Sequence, residues 1–141
     1  MNTPLKTVQA NYQAFGRKDI PAILETLSPQ VCWQQWGDNS AQRAGLPFML
    51  ERNGPDGVMA FFKAIGEGLE VHSLRVLNLA ASERLVVAEI ELDWTVRATG
   101  IRILDQVLHL WGFDESGRVD RYRNYLDTAK HIQAHGLALP G

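Results

Sequence analysis

Cysteine is nearly absent. Cys32 stands alone, so no intrachain disulfide can form, and a reducing compartment, the cytoplasm, is expected. Long apolar runs are missing too: the opening MNTPLKTVQANY holds no continuous hydrophobic stretch, so neither a signal peptide nor a membrane span is expected. Neither sign of charge dominates. Fourteen Lys and Arg stand against sixteen Asp and Glu, a net charge of -2, which provides no basic footprint for nucleic acid and no polybasic patch for a membrane surface. The chain contains no Walker loop, dinucleotide fingerprint, zinc-finger pattern or Ser/Cys nucleophile motif, and no internal repeat. These absences point to a protein without a cofactor, organised as one domain over residues 1–141. What the chain does have is aromatic mass: four Trp and five Phe, enough to fill a core or to line a hydrophobic cavity.

Hydrophobic spacing divides the chain. Leu5, Val8, Tyr12 and Phe15 form one stripe on a helix over residues 4–16, stopped by Gly16. Asp19 caps a second helix with Pro21 in its first turn and Ile20, Ile23, Leu24 and Leu27 inward, ended by Ser28-Pro29. Residues 30–36 read as a short strand. Residues 37–54 keep no period; a segment of that length is expected to hide a short strand or helical turn and to rim a site. Gly54-Pro55-Asp56 starts a third helix, with Val58, Met59, Phe61, Phe62 and Ile65 inward and Gly66 and Gly68 at its end. From Leu69 the period switches to two. A strand over 69–80 and a turn at 82–84 precede three long strands in residues 85–127, joined at Thr99-Gly100 and at 114–117. A last helix spans 128–135 and ends at Gly136. Helices first and antiparallel strands after define an α+β fold, a curved antiparallel sheet wrapped around N-terminal helices to leave an open cone.

The two turns fix which side chains face the cone. A two-residue turn at Thr99-Gly100 sets Trp94 opposite Asp105 and Ile90 opposite His109; a four-residue turn at 114–117 sets His109 opposite Tyr122 and Val107 opposite Asn124. The inward face then holds Ile90, Leu92, Trp94, Asp105, Val107, His109, Trp111, Tyr122 and Asn124, apolar with a few polar groups, as a ligand pocket is. The outward face is acidic on one strand (Glu89, Glu91, Asp93), leucine-rich on the next (Leu104, Leu108, Leu110) and basic on the third (Arg121, Arg123). Such a face is either a homodimer interface or a solvated surface.

Several local patterns resemble the NTF2-like (cystatin-like) superfamily, in its SnoaL-like and ketosteroid-isomerase-related branch. They are Tyr12-Gln13-Ala14-Phe15 with Lys18-Asp19-Ile20, Gln30-Val31-Cys32-Trp33, Gly57-Val58 with Phe61-Phe62, Thr99-Gly100, Gly117-Arg118-Val119 and Tyr125-Leu126-Asp127-Thr128. The resemblance spans nearly the whole chain and implies the conical fold, while the fold itself hosts isomerases, cyclases, hydrolases, dehydratases and binders. It implies roles position by position. The helical tyrosine of ketosteroid isomerases falls on Asn11, their carboxylate base on Gln35 and their strand donor on His109. Gln35 cannot shuttle a proton at neutral pH. The last-strand aspartate of limonene-epoxide-hydrolase-like members falls on Asn124, and the aspartate of SnoaL-type cyclases on Asp127, which equally suits a helix N-cap.

Two catalytic candidates result, His109 and Asp127. An imidazole among Ile90, Val107 and Trp111 is largely neutral near pH 7 and can act as a general base or as a neutral donor to an oxyanion; the other reading is a core histidine bonded to Tyr122. Asp105 lies roughly 13 Å along the strand from His109 and forms no dyad with it; it is either a rim carboxylate in water or a second polar point of the pocket. Ligand contacts are expected from Trp33, Gln35, Trp94, Asp105, Trp111, Tyr122 and Asn124, the three tryptophans as walls for a flat ligand. His131 and His135 share metal-ligand spacing, but a histidine in a last helical turn also suits the helix dipole, and no metal site is expected. The expectation is a cofactor-independent acid/base enzyme acting on a small hydrophobic molecule (isomerase, polyketide-cyclase or dehydratase type). The alternative is a non-catalytic ligand-binding or protein-interaction module of the same fold.

Overall fold

A computed structural model describes residues 3–34 and 37–140. Its elements run α1 (Thr3–Gly16), α2 (Ile20–Leu24), β1 (Leu27–Trp33), α3 (Ser40–Arg43), a 3₁₀ turn (Pro47–Met49), β2 (Arg52–Asn53), α4 (Gly54–Gly68), β3 (Leu69–Ala81), β4 (Leu85–Val96), β5 (Arg102–Phe113), β6 (Val119–Tyr125) and α5 (Thr128–Ala134). The fold is α+β. One curved, six-stranded sheet runs in the order β2-β1-β6-β5-β4-β3, antiparallel except where β1 lies parallel to β6. Helix α1 packs on β3 and β4, and α4 on β1 and β3. The expected hidden elements of residues 37–54 are α3, the 3₁₀ turn and β2.

The second helix is shorter than its apolar stripe suggests. It stops at Leu24, because Leu27 opens β1 and pairs with Val119 instead of adding a helical turn. Thr26 makes the break: its hydroxyl donates to the Ile23 carbonyl at 2.7 Å, its carbonyl accepts from Val119 N–H at 2.9 Å, and Asn11 Nδ2 donates to its Oγ1 at 3.0 Å. The strand expected at 30–36 accordingly occupies 27–33.

Both long hairpins differ in register from the expected one, yet both keep the expected faces. Between β4 and β5 the turn takes four residues, with Gly100 at φ 75° and Val96 N–H bonded to the Ile101 carbonyl. Trp94 therefore faces Ile103, Leu92 faces Asp105 and Ala88 faces His109, a two-residue shift that preserves side-chain parity. Between β5 and β6, Asp114 closes a wider loop. Its carboxylate accepts from the Ser116 and Arg118 amides at 2.9 and 3.0 Å, and Gly117 takes φ 87°. That adds one residue; a bulge beside Gly112 adds another. The two one-residue shifts add up to two, so His109 lies opposite Asn124 and Trp111 opposite Tyr122, and parity keeps all of them on the inner face.

Burial follows the pleat. Val86, Ala88, Ile90, Leu92, Trp94 and Val96 on β4 are buried, as are Ile103, Val107, His109 and Trp111 on β5. Each large apolar side chain taken from water contributes about 1.5–3 kcal/mol, so this alternation pins the sheet's orientation. The outer face keeps Leu104 at 59% and Leu108 at 45% exposure between the acidic and basic columns.

Candidate functional site

The inner faces of β4, β5 and β6, the end of β1 and the undersides of α1 and α4 enclose a chamber. Aromatic rings build its walls. Trp33 stacks on Tyr122 with ring centres 4.0 Å apart, and Trp111 meets both edge-on, at 5.8 and 4.8 Å. Space open to the centres of water molecules amounts to about 50 Å³, room for a few waters or one small ring. Beyond Tyr12, Phe15, Phe62, Ile65 and Leu74 it meets a wider outer recess bordered by Lys18, Glu70, His72 and Arg97.

Three polar groups of the chamber form one chain. Trp111 Nε1 donates to Tyr12 Oη at 3.0 Å, and Tyr12 Oη lies 2.6 Å from His109 Nδ1. An indole nitrogen only donates, so Tyr12 Oη accepts there and its own O–H is free to donate to His109 Nδ1. That choice leaves the proton of the neutral imidazole on Nε2. The opposite tautomer would leave the Tyr12 hydroxyl hydrogen without an acceptor among the described residues, so the Nε2–H form is the resting one. Burial drives the His109 pKa down to about 3, and burial likewise pushes the phenols of Tyr12 and Tyr122 above their usual value. At neutral pH all three are uncharged. Tyr12 is half-buried by surface because its ring also borders the outer recess, but its hydroxyl end lies inside.

Asn124 stands beside His109 on the next strand, 3% exposed, its Oδ1 buried with no hydrogen-bond partner. Gln34 holds it there. At the end of β1 the backbone turns left-handed (φ 63°), which swings the Gln34 side chain inward. Its Oε1 accepts the Asn124 amide N–H at 2.9 Å, its Nε2 donates to the Phe48 carbonyl at 3.4 Å, and its own amide donates to the Tyr122 carbonyl at 2.7 Å. A side-chain carbonyl thus stands in for the ladder partner that β1 no longer supplies.

Of the residues singled out in the sequence, His109, Trp33, Trp94, Trp111, Tyr122 and Asn124 line the chamber together. Gln35 and the neighbouring Trp36 lie outside the described residues. Asp105 is neither a rim carboxylate in water nor a chamber residue. It is 8% exposed and carries its own network, with His131 Nε2 at 2.8 Å, the Gln106 amide at 2.9 Å and Lys130 Nζ at 3.7 Å. Asp127 is exposed and does not line the chamber; its Oδ1 accepts the Lys130 amide at 3.2 Å as the N-cap of α5. His131 is fully buried on Asp105, and His135 Nδ1 bonds the His131 carbonyl at 2.7 Å, so the two rings converge on no common point. Burial lowers the His131 pKa, with the Asp105 bond opposing. Two site residues escaped sequence reasoning. Tyr12, not Asn11, reaches His109, while Asn11 is spent on Thr26. A tyrosine inside an apolar helical stripe was the available signal, since its buried hydroxyl needs a partner. Gln34 had no comparable signal.

No carboxylate and no Lys or Arg lines the chamber among the described residues. Its chemistry is that of neutral donors and acceptors, with one imidazole able to carry a proton.

No curated protein sequence matches the chain. Solved structures do. An NTF2-like protein of unknown function from Burkholderia pseudomallei is 26% identical with a TM-score of 0.78; an NTF2-like protein from Burkholderia thailandensis is 24% identical with a TM-score of 0.81. TerC, crystallised with polyporic acid, is 18% identical with a TM-score of 0.75. Each comparison covers 95% of this chain and 98% of the other. Further structures of the same fold are named as isomerase, polyketide cyclase and epoxide hydrolase. The SnoaL-like domain pattern matches residues 8–122, and the chain belongs to that family, on the NTF2-like fold.

Proposed function

We propose that the chamber is an active site for cofactor-independent acid/base chemistry on a small hydrophobic molecule, of the isomerase, cyclase or dehydratase type. One observation carries this reading: the imidazole of the aromatic chamber is hydrogen-bonded to Tyr12, which in turn accepts from Trp111, and it keeps its other nitrogen for a ligand. With its proton on Nε2, His109 donates to a substrate carbonyl as negative charge gathers on that oxygen, in a site from which water is largely excluded. With its proton on Nδ1, donated to Tyr12 Oη, it takes a proton from carbon at Nε2 and returns it elsewhere on the substrate. Burial depresses its basicity, but an enolate formed beside the imidazolium pairs with it and offsets that penalty. Asp127, held as a helix cap, takes no part.

Proton exchange tests the reading. In D₂O, the protein is expected to speed deuterium uptake at the α-carbons of cyclopentanone or 2-indanone, followed by NMR, and His109→Gln to remove about a hundredfold of that rate or more. Exchange no faster than in buffer, for both ketones, would reject it. The absence of any carboxylate from the described chamber wall favours a second reading, a ligand-binding module without chemistry. That reading expects the ketones to shift chamber resonances without exchanging.

We also propose that the outer sheet face joins two copies of the chain. A twofold arrangement sets the β4 acids against the partner's β6 arginines around the exposed Leu104 and Leu108. Sedimentation should find a dimer that Leu108→Glu dissociates; a monomeric native protein would count against it.

A further inference from the structure

Asn124 is the one amide side chain on the chamber wall whose polar ends find no protein partner among the described residues: its Oδ1 is buried and unpartnered, and its Nδ2 makes no hydrogen bond. An unmet carboxamide at 3% exposure is costly. Nor is it a loose side chain. Its backbone is fixed by Gln34, a fully buried residue in a left-handed conformation that makes four hydrogen bonds, the one to Asn124 included. His109 lies directly opposite on the neighbouring strand, with α-carbons at the cross-strand spacing of about 4.5–5.5 Å, and both side chains line the chamber.

We infer that the chamber selects a neutral, flat ring bearing a hydrogen-bond donor and a carbonyl on adjacent atoms, a lactam-type edge read by Asn124 together with His109. This rests on the chamber being the ligand site and goes beyond it by naming the ligand's polar pattern. A carboxamide offers both an acceptor and a donor, so the edge that satisfies it must offer both in return. The ring lies among the aromatic walls that Trp33, Trp111 and Tyr122 give the chamber. The ligand is neutral because no described Lys, Arg or carboxylate lines the wall to balance a charge. The unpartnered Nε1 of Trp33 is a further donor for the carbonyl.

Three probes of one size separate the parts of this claim. 2-Pyridone has the adjacent N–H and C=O; 2-pyrone keeps the ring and carbonyl but replaces N–H by oxygen; benzene has neither. Dissociation constants from protein-observed NMR titration should place 2-pyridone about tenfold tighter than 2-pyrone, one hydrogen bond's difference. Asn124→Leu should erase that gap while benzene keeps its affinity within about twofold. Benzene binding with 2-pyridone no tighter than 2-pyrone would overturn the inference and leave the chamber as a ligand site. A gap that persists in Asn124→Leu would assign the selectivity elsewhere and overturn it too. If none of the three binds, the chamber reading itself falls, and the inference with it. Should Asn124→Leu fail to fold, the wild-type ratio alone decides.

Discussion

Replacing His109 by glutamine should flatten the protein's stability against acid. His109 is 5% exposed, faces Tyr12, Trp111, Tyr122 and Asn124, and has no carboxylate against it among the described residues. Its pKa falls from the ordinary 6.5 to about 3 on folding, with burial as the cause. A base whose pKa is lower in the folded state is protonated first in the unfolded chain, so acid favours unfolding. The stabilisation is complete above about pH 6.5 and drains by about 1.4 kcal/mol per pH unit on the way down to about pH 3. Between about pH 7.5 and pH 5 the loss is about 2 kcal/mol. Because pH 5 lies well above the native value, that figure is set by the unfolded pKa and hardly depends on how far burial pushes the native one. A glutamine in this place would keep the hydrogen bond, since its amide oxygen can accept from the Tyr12 hydroxyl, but it cannot titrate. His131 shifts in the same direction and steepens the slope of both proteins alike, so the difference isolates His109. Urea unfolding at the two pH values should show the native protein losing about 2 kcal/mol more than His109→Gln. Parallel losses, within about 0.5 kcal/mol, would mean that His109 protonates freely in the fold and that the buried, neutral imidazole is wrong.

Two further substitutions probe the groups that set the site. Tyr12→Phe strips the hydroxyl between Trp111 Nε1 and His109 Nδ1 and leaves both unpaired, which should cost about 2–4 kcal/mol in urea unfolding, with the loss nearly halved when Trp111 is already Phe. A loss under about 0.5 kcal/mol would show that the chain of bonds contributes nothing. Gln34→Ala and Gln34→Gly both remove the acceptor for the Asn124 amide, but only alanine is strained at φ 63°, so the glycine variant should be the more stable by about 1 kcal/mol in thermal or urea unfolding. Equal stabilities would show that the left-handed turn at Gln34 stores no strain.

The sheet faces were legible because parity is robust. Turn lengths at Thr99-Gly100 and 114–117 are each longer than the sequence suggests, yet a two-residue shift in one hairpin and two one-residue slips that add to two in the other return the same residues to the inner face. His109, Trp111, Tyr122 and Asn124 could therefore be grouped without the right register. What periodicity cannot carry is whatever depends on contacts between distant segments. Leu27 fits a helical stripe until Val119 claims it for the sheet. Asp105 alternates correctly onto the inner face, but its carboxylate is captured by His131 from a helix that follows 26 residues later. Tyr12 reads as one more core residue of α1, since only the folded chain brings its hydroxyl to a histidine 97 positions away. Gln34 was invisible because a strand end is read as extended, and one left-handed residue reverses which way its side chain faces.

The most direct test of the chamber as a working site is the ¹⁵N spectrum of the His109 ring, free and with cyclopentanone added. The neutral Nε2–H tautomer should persist from about pH 8 down to about pH 4, and the ketone should shift Nε2 while leaving Nδ1, bonded to Tyr12, nearly unmoved. A ring that titrates near 6.5, or one that ignores the ketone at saturation, would contradict the account.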